Sequence, residues 1–504
     1  MRPFASSAAG ICCGFLAGVA VAKGTPCAAL VDLRLPGVQI ESATVVPQDG
    51  LVLPGSWKPE PSPTFCRVTA TATPTPDSNI RIEIWIPPLD RWNRKLLGVG
   101  NGGFSGAIDY RQMKRAVARG YATVGTDTGH RGDQLGFGFD HPEKRIDWAY
   151  RSVHVMTAAA KLIVRDNTGR FPAHAYFDGC STGGQQALSE AQRYPDDYDG
   201  IVAGAPGYDR IALIVGFLWS WGATHDAAGQ PLLSATQLDA LTATATKSCD
   251  PEDGLTDGII SNPLRCDFDP SALACDRHPG SDCLTPVQVQ AVRKVYSGAK
   301  DPRTGAQLFP GWTRGSESGW GTYLLQPPEP ARLDFFRFWA FDDPHWDWHT
   351  FDWDRDVAFI QRHLAFVAAT SPDLSRFEAR GGRLIMYSGT ADPVVPLADV
   401  IGYYDQVLRQ MGGARATQSF FRYFEVPGMG HCGGGEAPTE FDPLRALDQW
   451  IVRGTPPESI VATQTTGHDA RRTRPLCPYP SAAHYNGTGG PNSADSFVCR
   501  QPTP

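Results

Sequence analysis

One short motif constrains the fold of this chain more than any other feature. Ala173 to Asp178 has the apolar pattern of a buried strand and leads into Gly179-Cys180-Ser181-Thr182-Gly183, after which a helical pattern runs from Ser181 to Arg193. A sharp strand-to-helix turn needs small residues beside the serine, because backbone approaches backbone there. Such a turn holds the Ser181 hydroxyl clear of the sheet, at a helix N-terminus that favours developing negative charge. The motif therefore predicts that Ser181 is a nucleophile.

Two later loops carry the acid and the base that a serine nucleophile needs. A strand pattern ending at Tyr387 leads into a loop with Asp392, and one ending at Val426 leads into a glycine-rich loop with His431. In isolation these residues are better explained as a turn aspartate and a surface histidine. Their order after Ser181, however, is that of the α/β-hydrolase triad. We predict that His431 takes the proton from Ser181 and later gives it to the leaving alkoxide, while Asp392 orients and stabilises the imidazolium.

The alternation of strand and helix patterns predicts the rest of the fold. Short apolar runs followed by helical stretches occur on both sides of the serine motif, which is typical of a doubly wound, mainly parallel sheet. The alternation stops at about Gly207 and resumes at Arg383. We therefore predict an α/β-hydrolase fold, with a catalytic domain over residues 23–207 and 371–504 and a large inserted lid domain over residues 208–370.

A glycine cluster upstream completes the predicted catalytic site. Gly100-Asn101-Gly102-Gly103 follows a strand pattern and has no bulk that would block a carbonyl oxygen. In this fold the oxyanion hole uses the backbone N–H of the residue after the nucleophile, here Thr182, and a second N–H from such a segment. We expect Gly102 or Gly103 to supply the second N–H.

The N-terminal residues have the pattern of an export signal. Arg2 precedes an apolar run of small residues from Ala8 to Ala22, which ends in the small-x-small pattern of a cleavage site. We predict that a signal peptide, residues 1–22, is removed and that the protein is secreted or periplasmic; a buried N-terminal helix is the alternative. A net charge of -7 without a basic tract argues against nucleic-acid partners, and no later segment is apolar enough to span a membrane.

Removal of that segment leaves ten of the twelve cysteines, and export makes disulfides their expected use. Spacing alone does not fix which cysteines pair. Cys180 and Cys432 adjoin the predicted nucleophile and base, so a triad would bring them together, and a disulfide would then clamp both loops; two buried thiols are the alternative. A zinc site is the rival use, but the chain has no Cys-x-x-Cys pair. Proximity suggests three further pairs: Cys249 with Cys266, Cys275 with Cys283, and Cys477 with Cys499.

These motifs resemble the tannase and feruloyl esterase family, which also contains the bacterial hydrolase of mono-(2-hydroxyethyl) terephthalate. The resemblance rests on Gly-Cys-Ser-Thr-Gly-Gly at Ser181, on the Ala-Asp-Pro loop of Asp392 and on Gly-His-Cys at His431. It implies the Cys180–Cys432 disulfide, the three local pairs and a Cys27–Cys66 pair. It extends to three further segments: Asn101-Gly102-Gly103-Phe104, Thr126-Asp127-Thr128-Gly129-His130, and Arg474-Pro475-Leu476-Cys477-Pro478-Tyr479-Pro480.

The resemblance also implies a structural Ca²⁺ ion in the lid, at the segment from Cys249 to Ile259. Three aspartates in eight residues, with a glycine to turn the chain, can wrap a hard cation that takes 6–8 oxygen ligands. A solvated turn of Asp and Gly residues is the alternative. The ligands implied by the resemblance are the side chains of Asp250, Asp253 and Asp257 and the carbonyls of Leu255 and Ile259.

Substrate choice is the least constrained prediction. The terephthalate enzyme of the family has an acidic residue directly after its nucleophile and a histidine four residues before its catalytic acid, whereas this chain has Thr182 and Ser388 there. We predict a secreted serine hydrolase of small esters of hydroxylated aromatic acids, feruloyl or galloyl, acting through an acyl-enzyme. Terephthalate monoester hydrolysis, lipase activity and non-catalytic binding of phenolics are the alternatives. Aromatic lid residues suit a flat phenolic group, although they also build ordinary cores: Trp312, Trp320, Phe335, Phe336, Phe338 and Trp339.

Overall fold

The centre of the molecule is a nine-stranded sheet, seen in a computed structural model that describes residues 24–325, 329–465 and 471–501. The predicted signal peptide, residues 1–22, lies outside the described residues. The strands are β1 (Val38–Val46), β2 (Phe65–Ala72), β3 (Ile80–Ile86), β4 (Lys95–Val99), β5 (Ala122–Thr126), β6 (His174–Cys180), β7 (Gly200–Gly204), β8 (Ala299–Lys300), β9 (Gln307–Phe309), β10 (Arg383–Gly389), β11 (Phe421–Val426), β12 (Ile460–Thr463), β13 (Thr473–Leu476), β14 (Ala482–Tyr485) and β15 (Phe497–Arg500).

The sheet is mainly parallel, as predicted. Its strands lie in the order β1-β2-β3-β5-β4-β6-β7-β10-β11, and every pair from β5 to β11 is parallel, while β1, β2, β3 and β5 pair antiparallel. All five residues of β5 and of β7 are buried, because helices cover both faces of the sheet. The remaining strands form three two-stranded sheets: β8 with β9, β12 with β13, and β14 with β15.

Helices pack on both faces of this sheet, which makes it doubly wound. Apolar residues of α3, α4 and α11 join the core on one face, and those of α1 and α13 pack on the other. Among the described helices, none is long and apolar enough to cross a membrane. The helices are α1 (Tyr110–Ala118), α2 (Pro142–Ile146), α3 (Ser152–Thr168), α4 (Thr182–Arg193), α5 (Arg210–Thr224), α6 (Ala235–Cys249), α7 (Pro286–Ser297), α8 (Leu333–Phe335), α9 (Arg355–His363), α10 (Ser375–Ala379), α11 (Leu397–Gln410), α12 (Ala414–Thr417) and α13 (Pro443–Arg453).

The predicted lid segment lies outside the nine-stranded sheet. The chain leaves the sheet after β7 and rejoins it at β10, so that α5 to α10 and the β8–β9 hairpin lie between these two strands; α5 to α9 and the hairpin fall within the predicted lid. Helix α5 is apolar on nearly every side and almost wholly buried, and its residues share one continuous core with those of α4 and β6. Because this core crosses the predicted boundary, the division of the chain into two domains stays a prediction.

Five disulfides cross-link the structure, and their pairing confirms the predictions. The long-range bond joins Cys180 to Cys432, and Cys27–Cys66 ties the N-terminal segment to β2. The other three close short loops, as proximity suggested: Cys249–Cys266, Cys275–Cys283 and Cys477–Cys499.

Candidate active site

Ser181 lies in a strained turn between β6 and α4. Its backbone has φ +63° and ψ −118°, a conformation that L side chains rarely adopt and that is found most often at functional sites. A Cβ added to Gly179 would lie 2.6 Å from the carbonyl oxygen of Gly183, so the turn requires glycine there. The helix begins at Thr182, one residue later than predicted, because Ser181 itself turns the chain.

Asp392 and His431 are joined by a hydrogen bond. The Nδ1 atom of His431 lies 2.8 Å from Oδ2 of Asp392, which follows β10 and is only 1% exposed. The other oxygen, Oδ1, accepts hydrogen bonds from the backbone N–H groups of Val394 (2.8 Å) and Val395 (3.0 Å), which fix the carboxylate. An ionised carboxylate can only accept, so Nδ1 carries the proton and Nε2 is left with a free lone pair. This is the tautomer that a general base at His431 requires.

The Cys180–Cys432 disulfide connects the serine turn to the histidine loop. Its cysteines have Cα atoms 5.9 Å apart across a sequence separation of 252 residues. Cys180 immediately precedes Ser181 and Cys432 immediately follows His431. The bond therefore restrains the two loops against each other, and Ser181 and His431 line the same cleft.

The glycine segment after β4 lines that cleft and has two free N–H groups. The N–H of Asn101 donates to Oε1 of Gln186 (3.0 Å), and that of Phe104 donates to Oδ1 of Asp133 (2.9 Å). Between them, the N–H groups of Gly102 and Gly103 have no acceptor among the residues that the structure describes. Both glycines line the cleft together with Ser181. The geometry thus leaves both candidates open, and which of them serves the oxyanion hole stays a prediction.

The cleft has a volume of about 780 Å³ and extends from Ser181 along α1. It is also lined by residues 439–442, which precede α13, and by the first two residues of α13, Pro443 and Leu444. Of the predicted lid, Tyr323 is the described residue that lines this cleft. None of the six aromatic residues that suggested a phenolic pocket lines the cleft. Phe338 is half-buried, and the other five are buried in the core: Trp312, Trp320, Phe335, Phe336 and Trp339.

Comparison with known proteins identifies the family. The family model for tannase and feruloyl esterase matches residues 66–500. An uncharacterized esterase of Xanthomonas campestris pv. campestris is 36% identical over 94% of this chain and 91% of its own length. The mono(2-hydroxyethyl) terephthalate hydrolase of Piscinibacter sakaiensis is 34% identical over 82% and 80%. The crystal structure of feruloyl esterase B from Aspergillus oryzae superposes with a TM-score of 0.87 at 29% identity, covering 94% of this chain and 99% of that one.

The chain belongs to the tannase and feruloyl esterase family. It is therefore a carboxylic ester hydrolase with an α/β-hydrolase fold.

The loop that resembles the calcium site of the tannase family lines one side of a small cavity of about 40 Å³, and Arg474, which pairs with Oδ2 of Asp257, lines another. Four of the five predicted ligands line it, namely Asp253, Leu255, Asp257 and Ile259. Oδ1 of Asp257 is buried and has no hydrogen-bond partner among the described residues, as expected of an oxygen that faces a cation. The carboxylate of Asp250, the fifth predicted ligand, instead accepts backbone N–H groups of residues 257–259 and closes the loop.

The carboxylates of the loop do not form a tight cluster. Asp250, Asp253 and Asp257 are not gathered within 4.8 Å of one another, and the group of three possible metal ligands found in the described structure is Cys249, Glu252 and Asp267. The sulfur of Cys249 is already bonded to Cys266, so this group does not make a metal site. The unpartnered oxygen of Asp257 fits a hard cation, whereas the spacing of the carboxylates does not gather them around one.

Three residues that sequence analysis gave no role hold the glycine segment in place. Nε2 of His130 lies 2.7 Å from the carbonyl oxygen of Phe104, and burial lowers the pKa of His130, so the ring is neutral and donates. Asp133 accepts from the N–H of Phe104, as described above. Arg210 contacts Thr182 from the start of α5. The sequence carries only weak signals for two of these roles: His130 is the last residue of a segment shared with the family, and Arg210 is a single charged residue at the start of an apolar helix.

Proposed function

We propose that this esterase hydrolyses esters of hydroxylated aromatic acids, of the feruloyl or galloyl type, through an acyl-enzyme on Ser181. The observation that carries the proposal is the hydrogen bond between Asp392 and His431 beside a cleft that also contains Ser181 and two free backbone N–H groups. A nucleophile, an oriented base and oxyanion donors are the parts that acyl transfer needs.

The reaction follows from the roles of these groups. His431 Nε2 accepts the proton of the Ser181 hydroxyl while Oγ attacks the ester carbonyl, and the carbonyl oxygen becomes negatively charged. The N–H groups of Thr182 and of Gly102 or Gly103 stabilise that charge. His431 then protonates the leaving alkoxide, and the acyl group remains on Ser181. In the second half, His431 removes a proton from water, and the resulting hydroxide attacks the acyl-enzyme. The bond between the acyl carbon and Oγ of Ser181 then breaks, His431 returns the proton to Oγ, and the free acid is released.

Two buried side chains favour the feruloyl or galloyl class over terephthalate monoesters. Thr182 follows the nucleophile, and its hydroxyl donates to the carbonyl oxygen of Gly103 (2.6 Å). Ser388 is fully buried, and its hydroxyl shares a hydrogen bond with Tyr423 (2.6 Å). Neither position supplies the acid or the histidine of the terephthalate enzyme. The 34% identity to mono(2-hydroxyethyl) terephthalate hydrolase keeps that ester as the second candidate substrate.

The substrate class is tested by release of free acid from methyl ferulate, methyl gallate and mono(2-hydroxyethyl) terephthalate. We expect methyl ferulate or methyl gallate to give the highest kcat/KM. The highest kcat/KM on the terephthalate ester would favour the second candidate instead. Turnover of p-nitrophenyl acetate without turnover of any of the three would contradict the aromatic class while leaving the esterase activity in place.

We also propose a structural Ca²⁺ ion held by the loop of residues 250–259. The side chains of Asp253 and Asp257 and the carbonyls of Leu255 and Ile259 would hold it, while Asp250 shapes the loop. The ion would neutralise these carboxylates and fix the lid segment, with no part in the reaction. At a calcium concentration 100 times Kd, binding to the folded state stabilises by about 2.7 kcal/mol. We therefore expect chelation to lower Tm by several degrees, and calcium, but not magnesium, to restore it.

The control for this calcium prediction is an aspartate outside the loop. One oxygen of Asp226 accepts two backbone N–H groups, at 2.8 and 2.9 Å. Asp257→Asn also weakens the ion pair of Asp257 with Arg474, so the readout is the response of Tm to chelation and not Tm itself. Asp226→Asn should retain the response of Tm to chelation, whereas Asp257→Asn should lose most of it. Equal Tm values of the unmodified protein with and without chelator would argue against the ion.

We propose export to an oxidising compartment, secreted or periplasmic, as the location of this activity. Five disulfides support it, because such bonds persist outside the reducing cytosol.

A further inference from the structure

Arg210 is a buried cation directly behind the nucleophile turn. It is 5% exposed, and its Nη2 atom donates to the hydroxyl oxygen of Thr182 at 2.8 Å. Its Nε and Nη2 atoms donate to Oε1 of Gln185 at 2.9 and 2.8 Å. No carboxylate in the described part of the chain pairs with it. The neighbouring Asp209 turns its carboxylate to the N–H of Ala212 (3.1 Å), where it caps α5.

Stability alone does not explain an arginine at this position. A buried charge without a counter-ion is destabilising, and a cation in the first turn of a helix is repelled by the helix dipole. Burial, with the nearby charge of Arg332, lowers the pKa of Arg210 to about 10, which still leaves it protonated at neutral pH. The rings of Phe104 and Trp148, 5.4 and 5.7 Å from the guanidinium carbon, offset part of this cost by cation–π attraction.

The Thr182 hydroxyl links Arg210 to the glycine segment. It accepts from Arg210 and donates to the carbonyl oxygen of Gly103 at 2.6 Å. The N–H of the same peptide group, on Phe104, donates to Asp133. This peptide is therefore held at both ends, and it anchors the C-terminal end of the segment that carries the free N–H groups of Gly102 and Gly103.

We propose that Arg210 is a positioning residue for the oxyanion hole, acting through the Thr182 hydroxyl on the Gly102–Gly103 segment. This inference rests on the catalytic roles proposed above for Ser181 and the glycine N–H groups. A donor that is itself polarised by a cation makes a stronger hydrogen bond, so Arg210 tightens the hold of Thr182 on Gly103. Its charge also acts in a water-poor interior, where it favours negative charge on the reacting carbonyl oxygen. Both effects are larger in the transition state than in the bound ester, so they act on kcat more than on KM.

The test compares Arg210→Met with Arg210→Lys on p-nitrophenyl acetate and methyl ferulate. Loss of one direct oxyanion donor lowers kcat by about 10²–10³-fold, so loss of a residue one contact away should lower it by about 10–100-fold. We expect KM to change less than about threefold, and lysine, which keeps the charge, to restore part of kcat. The inhibition constant of an aryl boronic acid, whose adduct on Ser181 places an anionic oxygen in the hole, should rise in parallel with the loss of kcat, while that of the product ferulate should not change.

Arg422→Met is the matched control. Arg422 is as buried, at 8% exposed, but it pairs with Glu458 (3.2 Å) and lies in β11, away from the strand end that leads to His431. Its substitution should leave kcat and boronate inhibition unchanged. Unchanged kcat in Arg210→Met would overturn the proposal, as would equal losses of affinity for boronate and for ferulate, which would indicate a general distortion.

Thr182→Val provides a second route in case Arg210→Met does not fold. It removes the hydroxyl link and leaves Arg210 in place, and the same selective loss of kcat and boronate binding is expected. A Thr182→Val variant with unaltered kcat would contradict the proposed link. The proposed substrate class fails separately: a parent enzyme that cleaves p-nitrophenyl acetate but not methyl ferulate contradicts only that class, and the role of Arg210 is then measured on p-nitrophenyl acetate.

Discussion

Ser181→Ala is expected to lower kcat by about 10⁶-fold, because no other group can form the acyl-enzyme. The side chain lost is one hydroxyl at the turn between β6 and α4, and the Cys180–Cys432 bond remains to hold that turn. The fold should therefore survive, with Tm close to that of the parent enzyme. The measurement is steady-state turnover of p-nitrophenyl acetate, together with mass spectrometry for an acyl adduct on the protein.

Ser189→Ala is the control for this substitution. Ser189 lies on the same helix, α4, and is 3% exposed, so its replacement tests removal of a buried serine hydroxyl from the same element. It should keep full activity. Residual turnover of Ser181→Ala above about 1% of the parent would mean that another nucleophile carries the reaction.

Asp392→Asn is expected to lower kcat by about 10⁴-fold, the loss typical of a triad whose histidine adopts the wrong tautomer. The amide can turn its NH₂ group toward Nδ1 of His431, which moves the ring proton to Nε2 and removes the base. The amide oxygen can still accept from the N–H groups of Val394 and Val395, so the loop should stay folded. The measurement is kcat beside a thermal unfolding curve.

Asp399→Asn serves as the comparison for a buried aspartate outside the site. Asp399 lies on α11, and burial raises its pKa well above the usual range, which favours the neutral carboxyl that an amide resembles. It should retain activity. A small loss in Asp392→Asn, comparable to that in Asp399→Asn, would show that His431 does not depend on the carboxylate.

Local patterns identified the parts of the site that lie at strand ends. Ser181, Asp392 and His431 each follow an apolar run and sit among glycines or turn residues, so the signal lies within a few residues of each one. The cysteine pairs were also predictable: three from proximity, Cys180–Cys432 from its position beside the predicted triad, and Cys27–Cys66 from the family resemblance. The parallel direction of the central strands followed from the alternation of strands and helices.

Contacts between residues far apart in the chain could not be predicted from the sequence. An aromatic-rich segment looks the same in the sequence whether its side chains line a substrate pocket or fill a core. The structure buries Trp312, Trp320 and Trp339 in the core. Periodicity reports that a residue is buried but not what it is buried against. Asp133 and Arg210 were missed for the same reason: each acts on residues far away in the chain.

The nesting of the disulfides sets an order of assembly for the chain. Four of the five bonds join cysteines that are neighbours in sequence order, but Cys180–Cys432 encloses the Cys249–Cys266 and Cys275–Cys283 pairs. Oxidation in order of synthesis would join Cys180 to Cys249 and leave the serine turn tied to the wrong partner. Cys180 therefore has to stay reduced until the predicted lid segment has folded and Cys432 has been synthesised, or a wrong bond at Cys180 has to be replaced later by disulfide exchange. The bond that restrains the serine and histidine loops thus forms only after the predicted lid segment between them has folded. A chain in which that segment stays unfolded therefore also lacks a correctly assembled active site.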